Sequence, residues 1–137
     1  MSMGFTESLR TCFSKYAKFD GRASRSEFWY FLLFCFVYMF VAGFLLGLTG
    51  ASQASMDVAI LFLMIPIFIP SIAVAARRLH DINQSGWMQC IFIPGFFADM
   101  FLGTGYVIYI MTLALYAFWF SQAGKKIKNR FGAAPKK

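Results

Sequence analysis

Three short polar motifs hold most of the side chains in this sequence that could do chemistry. They are Gly21-Arg22-Ala23-Ser24-Arg25-Ser26-Glu27, Arg77-Arg78-Leu79-His80-Asp81 and Asn129-Arg130-Phe131-Gly132. Guanidinium groups bind phosphates and carboxylates bidentately, so Arg22, Arg25, Arg77, Arg78 and Arg130 suit an anionic headgroup or an acidic partner. Spaced four apart on a helix, Arg77 and Asp81 share a face and are expected to pair. His80 is the only histidine, and its reference pKa near neutrality fits a general base or proton relay. Neighbouring residues on a helix point about 100° apart, so His80 and Asp81 make no ready dyad. A zinc site needs three or four ligands; one histidine and the scattered Cys12, Cys35 and Cys90 supply no such set. Those cysteines match a disulfide framework no better. Neither a Gly-rich phosphate loop nor a nucleophile elbow is present. The motifs therefore predict no catalytic residue, no metal and no cofactor.

Apolar runs separate the motifs and must position them. Of 137 residues, 59% are apolar, 18 are Phe and only 14% are charged, against about a quarter charged in a soluble domain. A water-soluble fold of this size has nowhere to hide that surface, and lipid is the natural solvent for it. The net charge of +7 falls in short clusters between apolar runs. That pattern fits orientation in a membrane and argues against nucleic-acid binding.

Residues 5–19 predict an amphipathic helix: Phe5, Leu9, Cys12, Phe13 and Tyr16 recur at helical spacing, with Arg10, Lys15 and Lys18 on other faces and Thr6 as a cap. Such a helix lies in the headgroup region or packs on the cytoplasmic side of a bundle. Ser24 and Glu27 form a capping box for the next helix, and Trp29 and Tyr30 sit at the depth of interfacial aromatics. The first apolar run begins at Phe28 and is longer than a signal-peptide core, so it reads as an uncleaved span. Within it, Gly43 and Gly47 permit close helix packing. A loop at 49–57 without Lys or Arg follows, with Asp57 as the cap of the next helix. Pro66 and Pro70 then predict a bend or local unwinding in the second span.

From Trp87 to Phe120 there are 34 residues without Lys or Arg, with Ser85 as a cap, a bend at Pro94-Gly95, and Asp99, Gly103 and Gly105 marking a hairpin. Read as one span, this stretch would force Lys125-Lys126-Ile127-Lys128-Asn129-Arg130 across the membrane. Read as two, it leaves every Lys and Arg on one side, as the positive-inside rule prefers. The expected fold is therefore all-α: a single membrane domain, 1–137, with a cytoplasmic amphipathic interfacial segment at 1–27. Four transmembrane helices follow at about 28–48, 58–76, 87–102 and 104–120, then a basic cytoplasmic tail at 121–137, each span being near the roughly 20 residues that cross a bilayer. Both termini are expected in the cytoplasm of a bacterium, with the protein in its inner (plasma) membrane.

This topology gathers Arg22, Arg25, Glu27, Arg77, Arg78, His80, Asp81, Trp87, Asn129 and Arg130 at one surface. The same residues carry a resemblance. Phe19, Gly21-Arg22, Arg25, Glu27-Phe28-Trp29, Arg77 to Asp81, Ser85-Gly86-Trp87 and Asn129 to Gly132 follow, in order, the pattern of domain-of-unknown-function family 805, small bacterial inner-membrane proteins. Met88 stands where that family usually has a second Trp, and Ala-Ala-Pro follows Gly132 in place of a Pro-x-Pro-like ending. The resemblance implies a plasma-membrane location and no established activity. The expected role is a non-enzymatic envelope protein that binds anionic lipid or a protein partner (a second copy or another inner-membrane protein) through the polar cluster. The alternatives are a small transporter or channel subunit, which the lack of mid-membrane charges disfavours, and a lipid-headgroup enzyme using His80 as base.

Overall fold

The computed structural model describes residues 3–91 and 106–135. Its elements are α1 (Phe5–Ser14), α2 (Arg25–Leu48), α3 (Gln53–Asp81), a 3-10 helix (Gly86–Ile91) and α4 (Tyr106–Ser121). Among the described residues there is no β-strand, only an isolated bridge between Asn129 and Gly132. The chain divides into two compact units that interleave in sequence. One comprises Met1–Lys18 and Ser26–Val74, the other Phe19–Arg25 and Ala75–Lys137.

The first unit holds most of α2 and α3, which have 24 and 29 residues, or about 36 and 43 Å at 1.5 Å per residue. Both exceed a hydrocarbon core of about 30 Å. Their most apolar stretches have mean hydropathies of 2.5 and 2.6, yet only 6% and 28% of those stretches are buried in the protein. The core helix of a soluble protein would hide such a stretch; these two turn it outward. Phe36, Phe40, Phe44 and Leu48, four apart along α2, are each 61–70% exposed. So large an apolar surface calls for an apolar solvent. These two helices are long and apolar enough to span a membrane.

Ser8 and Glu27 are the buried polar residues among the described residues of this unit. Ser8 and Cys12, one turn apart on α1, are fully buried, and their small side chains leave room for close approach to a neighbour. The Cys12 thiol lies 3.9 Å from Glu27 Oε1 and 4.0 Å from the Glu27 carbonyl. Flanking that stripe, the Phe13 ring meets Phe31 and Phe34 edge-on and Phe5 meets Tyr30. The amphipathic helix is shorter than expected, because Lys15 leaves helical geometry while its N–H still bonds Thr11. Gly4, not Thr6, is the cap residue. At the start of α3 the expected cap also moves: the helix begins at Gln53, and the Ser52 carbonyl and hydroxyl accept from the Met56 and Ser55 N–H groups. Asp57 lies inside the helix, where its carboxylate accepts from Gln53 Nε2 at 2.8 Å. Ser52 wins because the helical hydrogen bonds extend one turn further back than the apolar pattern does.

Helix α3 runs unbroken through Pro66 and Pro70, so the local unwinding foreseen there does not occur. Pro70 is fully buried and Ile67 nearly so, and such packing sustains a helix across prolines in an apolar setting. One turn on, the Ser71 hydroxyl donates to the Ile67 carbonyl at 2.6 Å and lies 3.6 Å from the Cys35 thiol of α2.

The second unit collects helix ends. It contains the loop Phe19–Arg25, the last turns of α3, the 3-10 helix, α4 and the tail. After α3 the chain turns through Asn83, whose φ is +67°. Ser85 then starts the 3-10 helix, its hydroxyl and carbonyl accepting from the Trp87 and Met88 N–H groups. The span expected at 87–102 falls on this 3-10 helix as far as Ile91; its remainder lies outside the described residues, as do Pro94-Gly95, Asp99, Gly103 and Gly105. The span expected at 104–120 corresponds to α4, of 16 residues.

Candidate functional site

Asp81, the last residue of α3, is the hub of the second unit. Its Oδ1 accepts from Arg22 at 2.8–2.9 Å through Nε and Nη2, and its Oδ2 accepts from Arg78 Nη1 at 2.6 Å. The expected partner was Arg77, four residues back; the side chains that hold Asp81 are Arg78, three residues back, and Arg22 from a loop 59 residues away. Arg77 lies at the same helix end, 1% exposed, with its carbonyl accepting from the Ala23 N–H. That bond fixes the Gly21 to Ser24 loop against α3 and so aims Arg22 at Asp81.

Neither guanidinium of the Asp81 pair is open to solvent: Arg22 is 6% exposed and Arg78 is 1% exposed. Their remaining donors go to backbone carbonyls. Arg78 Nε donates to Phe120 O at 3.1 Å, and its Nη2 donates to Gln122 O. These carbonyls lie at and just beyond the end of α4, where helical partners run out, and a cation there also meets the negative end of the helix dipole. Arg25 reaches Ser121 O at 3.5 Å. Arg22 takes the tail itself, with Nη1 on Ile127 O at 2.8 Å and Gly132 O at 3.3 Å, and Nη2 on Lys125 O. The Lys125 N–H donates to the Asp81 carbonyl at 3.1 Å. The first residue of α2 and the ends of α3 and α4 thus meet, and the tail folds onto them. Between α4 and the tail, Gly124 lies so close that a Cβ would overlap the Asp81 carboxylate.

Asn129 to Gly132 forms a tight turn. Asn129 and Gly132 exchange backbone hydrogen bonds at 3.0–3.1 Å, and Asn129 Oδ1 accepts from the Phe131 N–H at 2.9 Å. Gly132 has φ of +120°, a region that disfavours any side chain. Asn129 Nδ2 also donates to His80 O at 2.8 Å, and Phe131 stacks flat on the His80 ring, 3.9 Å apart at 6°. Arg130 lies 4.6 Å over the Phe131 ring, and its Nη2 donates to Asn83 O at 3.3 Å.

His80 Nδ1 is 3.1 Å from Gly21 O. A carbonyl only accepts, so Nδ1 carries the proton and His80 is a structural donor here. Burial pushes its pKa below the ordinary 6.5, against the opposing pull of the Gly21 carbonyl and Asp20, and Arg130 lowers it further. No carboxylate hydrogen-bonds the ring among the described residues, and none of them forms a metal-binding cluster.

The second unit therefore brings together Arg22, Arg25, Arg77, Arg78, His80, Asp81, Asn129 and Arg130. Glu27 belongs to the first unit, 2% exposed beside Cys12. Trp87, at the start of the 3-10 helix, is 82% exposed. Sequence reading missed Gly124 and the carbonyls of Phe120, Gln122, Lys125, Ile127 and Gly132. Every residue has a carbonyl, so nothing in a side-chain pattern marks these; the glycine opening a basic run was the one faint sign.

A chain that is helical throughout its described elements and turns the apolar surface of two long helices outward is a membrane protein. It belongs to the family described as Protein of unknown function (DUF805), whose model matches residues 16–133. It is 34% identical over 122 residues to inner membrane protein YhaH of Escherichia coli strain K12, covering 88% of this chain and 89% of that protein. It is 30% identical over 122 residues to inner membrane protein YhaI of the same organism, covering 88% of each. No solved structure matches the chain.

Proposed function

We propose that this chain is a non-enzymatic, multi-pass inner-membrane protein with both termini cytoplasmic, in which the Arg22–Asp81–Arg78 cluster is a clasp. The clasp holds the C-terminal tail in one conformation and presents its basic side chains to anionic lipid or a protein partner. The observation that carries this reading is where the buried guanidiniums point: Arg22 and Arg78 meet Asp81 and five backbone carbonyls, at Phe120, Gln122, Lys125, Ile127 and Gly132. Ligand recognition by those two side chains would require breaking the clasp. Recognition is instead left to the exposed residues around it. The meeting of helix ends at Arg25, Asp81 and Ser121 supports an even number of crossings between each pair. The confinement of basic residues to the segments at these ends supports a cytoplasmic face.

Gly124→Ala tests the clasp without changing any charge. The added methyl displaces either Asp81 or the tail, and Asp81 is held by two arginines. Overpacking of this kind costs about 1–3 kcal/mol, which raises the open population of the tail roughly fivefold to a hundredfold or more. Tryptic cleavage at Lys125 to Arg130 of the purified full chain should accelerate by that factor. Equal cleavage rates in the variant and the parent would refute the reading.

A further inference from the structure

Resting on the clasp reading, we infer that the presented surface binds anionic phospholipid headgroups, with Lys126, Lys128 and Arg130 as the phosphate-facing cations and Trp87 and Ile127 as interfacial anchors. The clasp turns the Lys125, Ile127 and Gly132 carbonyls inward to Arg22. The side chains of Lys125, Lys126, Ile127, Lys128 and Arg130 remain exposed around that fixed backbone. The charge is one-sided: the exposed cations of the described second unit are Arg25, Lys125, Lys126, Lys128 and Arg130, against Asp20 as the exposed anion.

Two large apolar side chains lie among these cations. Trp87 is 82% exposed and Ile127 is 74% exposed. Trp87 belongs to the same neighbourhood as Arg130: Arg130 bonds Asn83, and Gly86, next to Trp87, approaches His80 so closely that a Cβ would lie 3.3 Å from Nε2. The depth is also right. Helix α4 ends at Ser121, and the Lys125 N–H bonds the Asp81 carbonyl at the end of α3, so the basic run starts where both helices end. An exposed indole beside cations at that depth is the pattern of a membrane-interface anchor, and Lys and Arg there attract anionic lipid. Because the clasp fixes the tail before lipid arrives, little conformational freedom is lost on binding.

The test uses the purified full chain in neutral detergent, titrated with dioleoylphosphatidylglycerol or dioleoylphosphatidylcholine, with bound lipid counted by native mass spectrometry. The parent should prefer the glycerol lipid. The combined variant Lys126→Gln, Lys128→Gln, Arg130→Gln should lose that preference, by up to about a hundredfold for three interfacial charges. Equal binding of the two lipids by the parent overturns the inference, as does a preference that survives in the variant. Tryptic protection of the parent tail is read in parallel. If protection stands while lipid preference is absent, the clasp holds and the lipid assignment alone fails; a tail cut freely in the parent overturns both.

Discussion

Helix α2 turns Phe36, Phe40, Phe44 and Leu48 outward while the second unit withdraws Arg22, Arg78 and Asp81 from solvent. The two regions invert the rule for soluble proteins, each in its own way. Around α2 and the apolar part of α3 the surroundings are lipid, and burying Phe within the protein brings little that lipid does not already give. Order there comes from small or specific contacts: Cys12 with Glu27, Cys35 with Ser71, and the Phe13 edge contacts with Phe31 and Phe34. In the second unit the buried groups of the clasp, Arg22, Arg78 and Asp81, are charged, and order comes from pairing them with one another and with backbone carbonyls. A half-satisfied network of this kind would be worse than an apolar one. Damage should therefore be abrupt in the clasp and graded along the apolar helices.

The largest effect is expected for Asp81→Ala. It leaves Arg22 and Arg78 buried without their carboxylate, a loss of about 3–5 kcal/mol for a broken buried pair. Thermal unfolding in detergent should show a large drop in Tm, and the arginine contacts to α4 and the tail should go with it. If Asp81→Ala unfolds no earlier than an exposed α2 substitution such as Phe36→Leu, the contrast between the regions collapses.

Phe36 probes the other side of the comparison. It lies near the middle of α2 and is 69% exposed, so Phe36→Leu exchanges one lipid-facing apolar group for another and should leave insertion unchanged. Phe36→Lys places a charge near the centre of a span, at a cost of about 3 kcal/mol on the translocon scale. The inserted fraction of the full chain in a membrane-insertion assay should fall accordingly. Unimpaired insertion would mean that this face meets water or protein and not lipid.

Much of this was legible in the sequence, and what was not has a physical reason. The apolar runs at Phe28 and Val58 announced α2 and α3 because no soluble core of 137 residues absorbs them. Ser85 was visible as a cap because its signal is local. The partner of Asp81 was not. Helical spacing favoured Arg77, whereas the side chain from Arg22 arrives through tertiary structure, across 59 residues. The arginines' carbonyl acceptors carry no side-chain signature at all. Asp57 misled for the opposite reason: a good cap residue stood at the apolar boundary, but the helix started four residues earlier, where Ser52 could cap it.

The smallest expected effect, and the one that separates the clasp most finely from the apolar helices, is a pH dependence carried by His80. The apolar run of α3 ends at Ala76, and the polar last turn that follows it, Arg77 to Asp81 with His80 included, belongs outside the hydrocarbon. The imidazole is half-buried between Phe131 and the Gly86 region, donates to Gly21 O, and has Asp20 and Arg130 as its charged neighbours. Burial dominates and holds its folded pKa below the ordinary 6.5. The unfolded chain therefore takes up the proton first as pH falls. The stability that neutral His80 contributes is complete above 6.5; it declines below that value and levels off once the folded state is protonated as well. Tm measured at about pH 7.5 and about pH 5 should fall on acidification in the parent. His80→Gln keeps a polar side chain but removes the titration, so its Tm should fall less over the same interval. Every other group is common to the two proteins and cancels in the difference. Parallel falls would mean that His80 is positioned by the clasp without reporting on it.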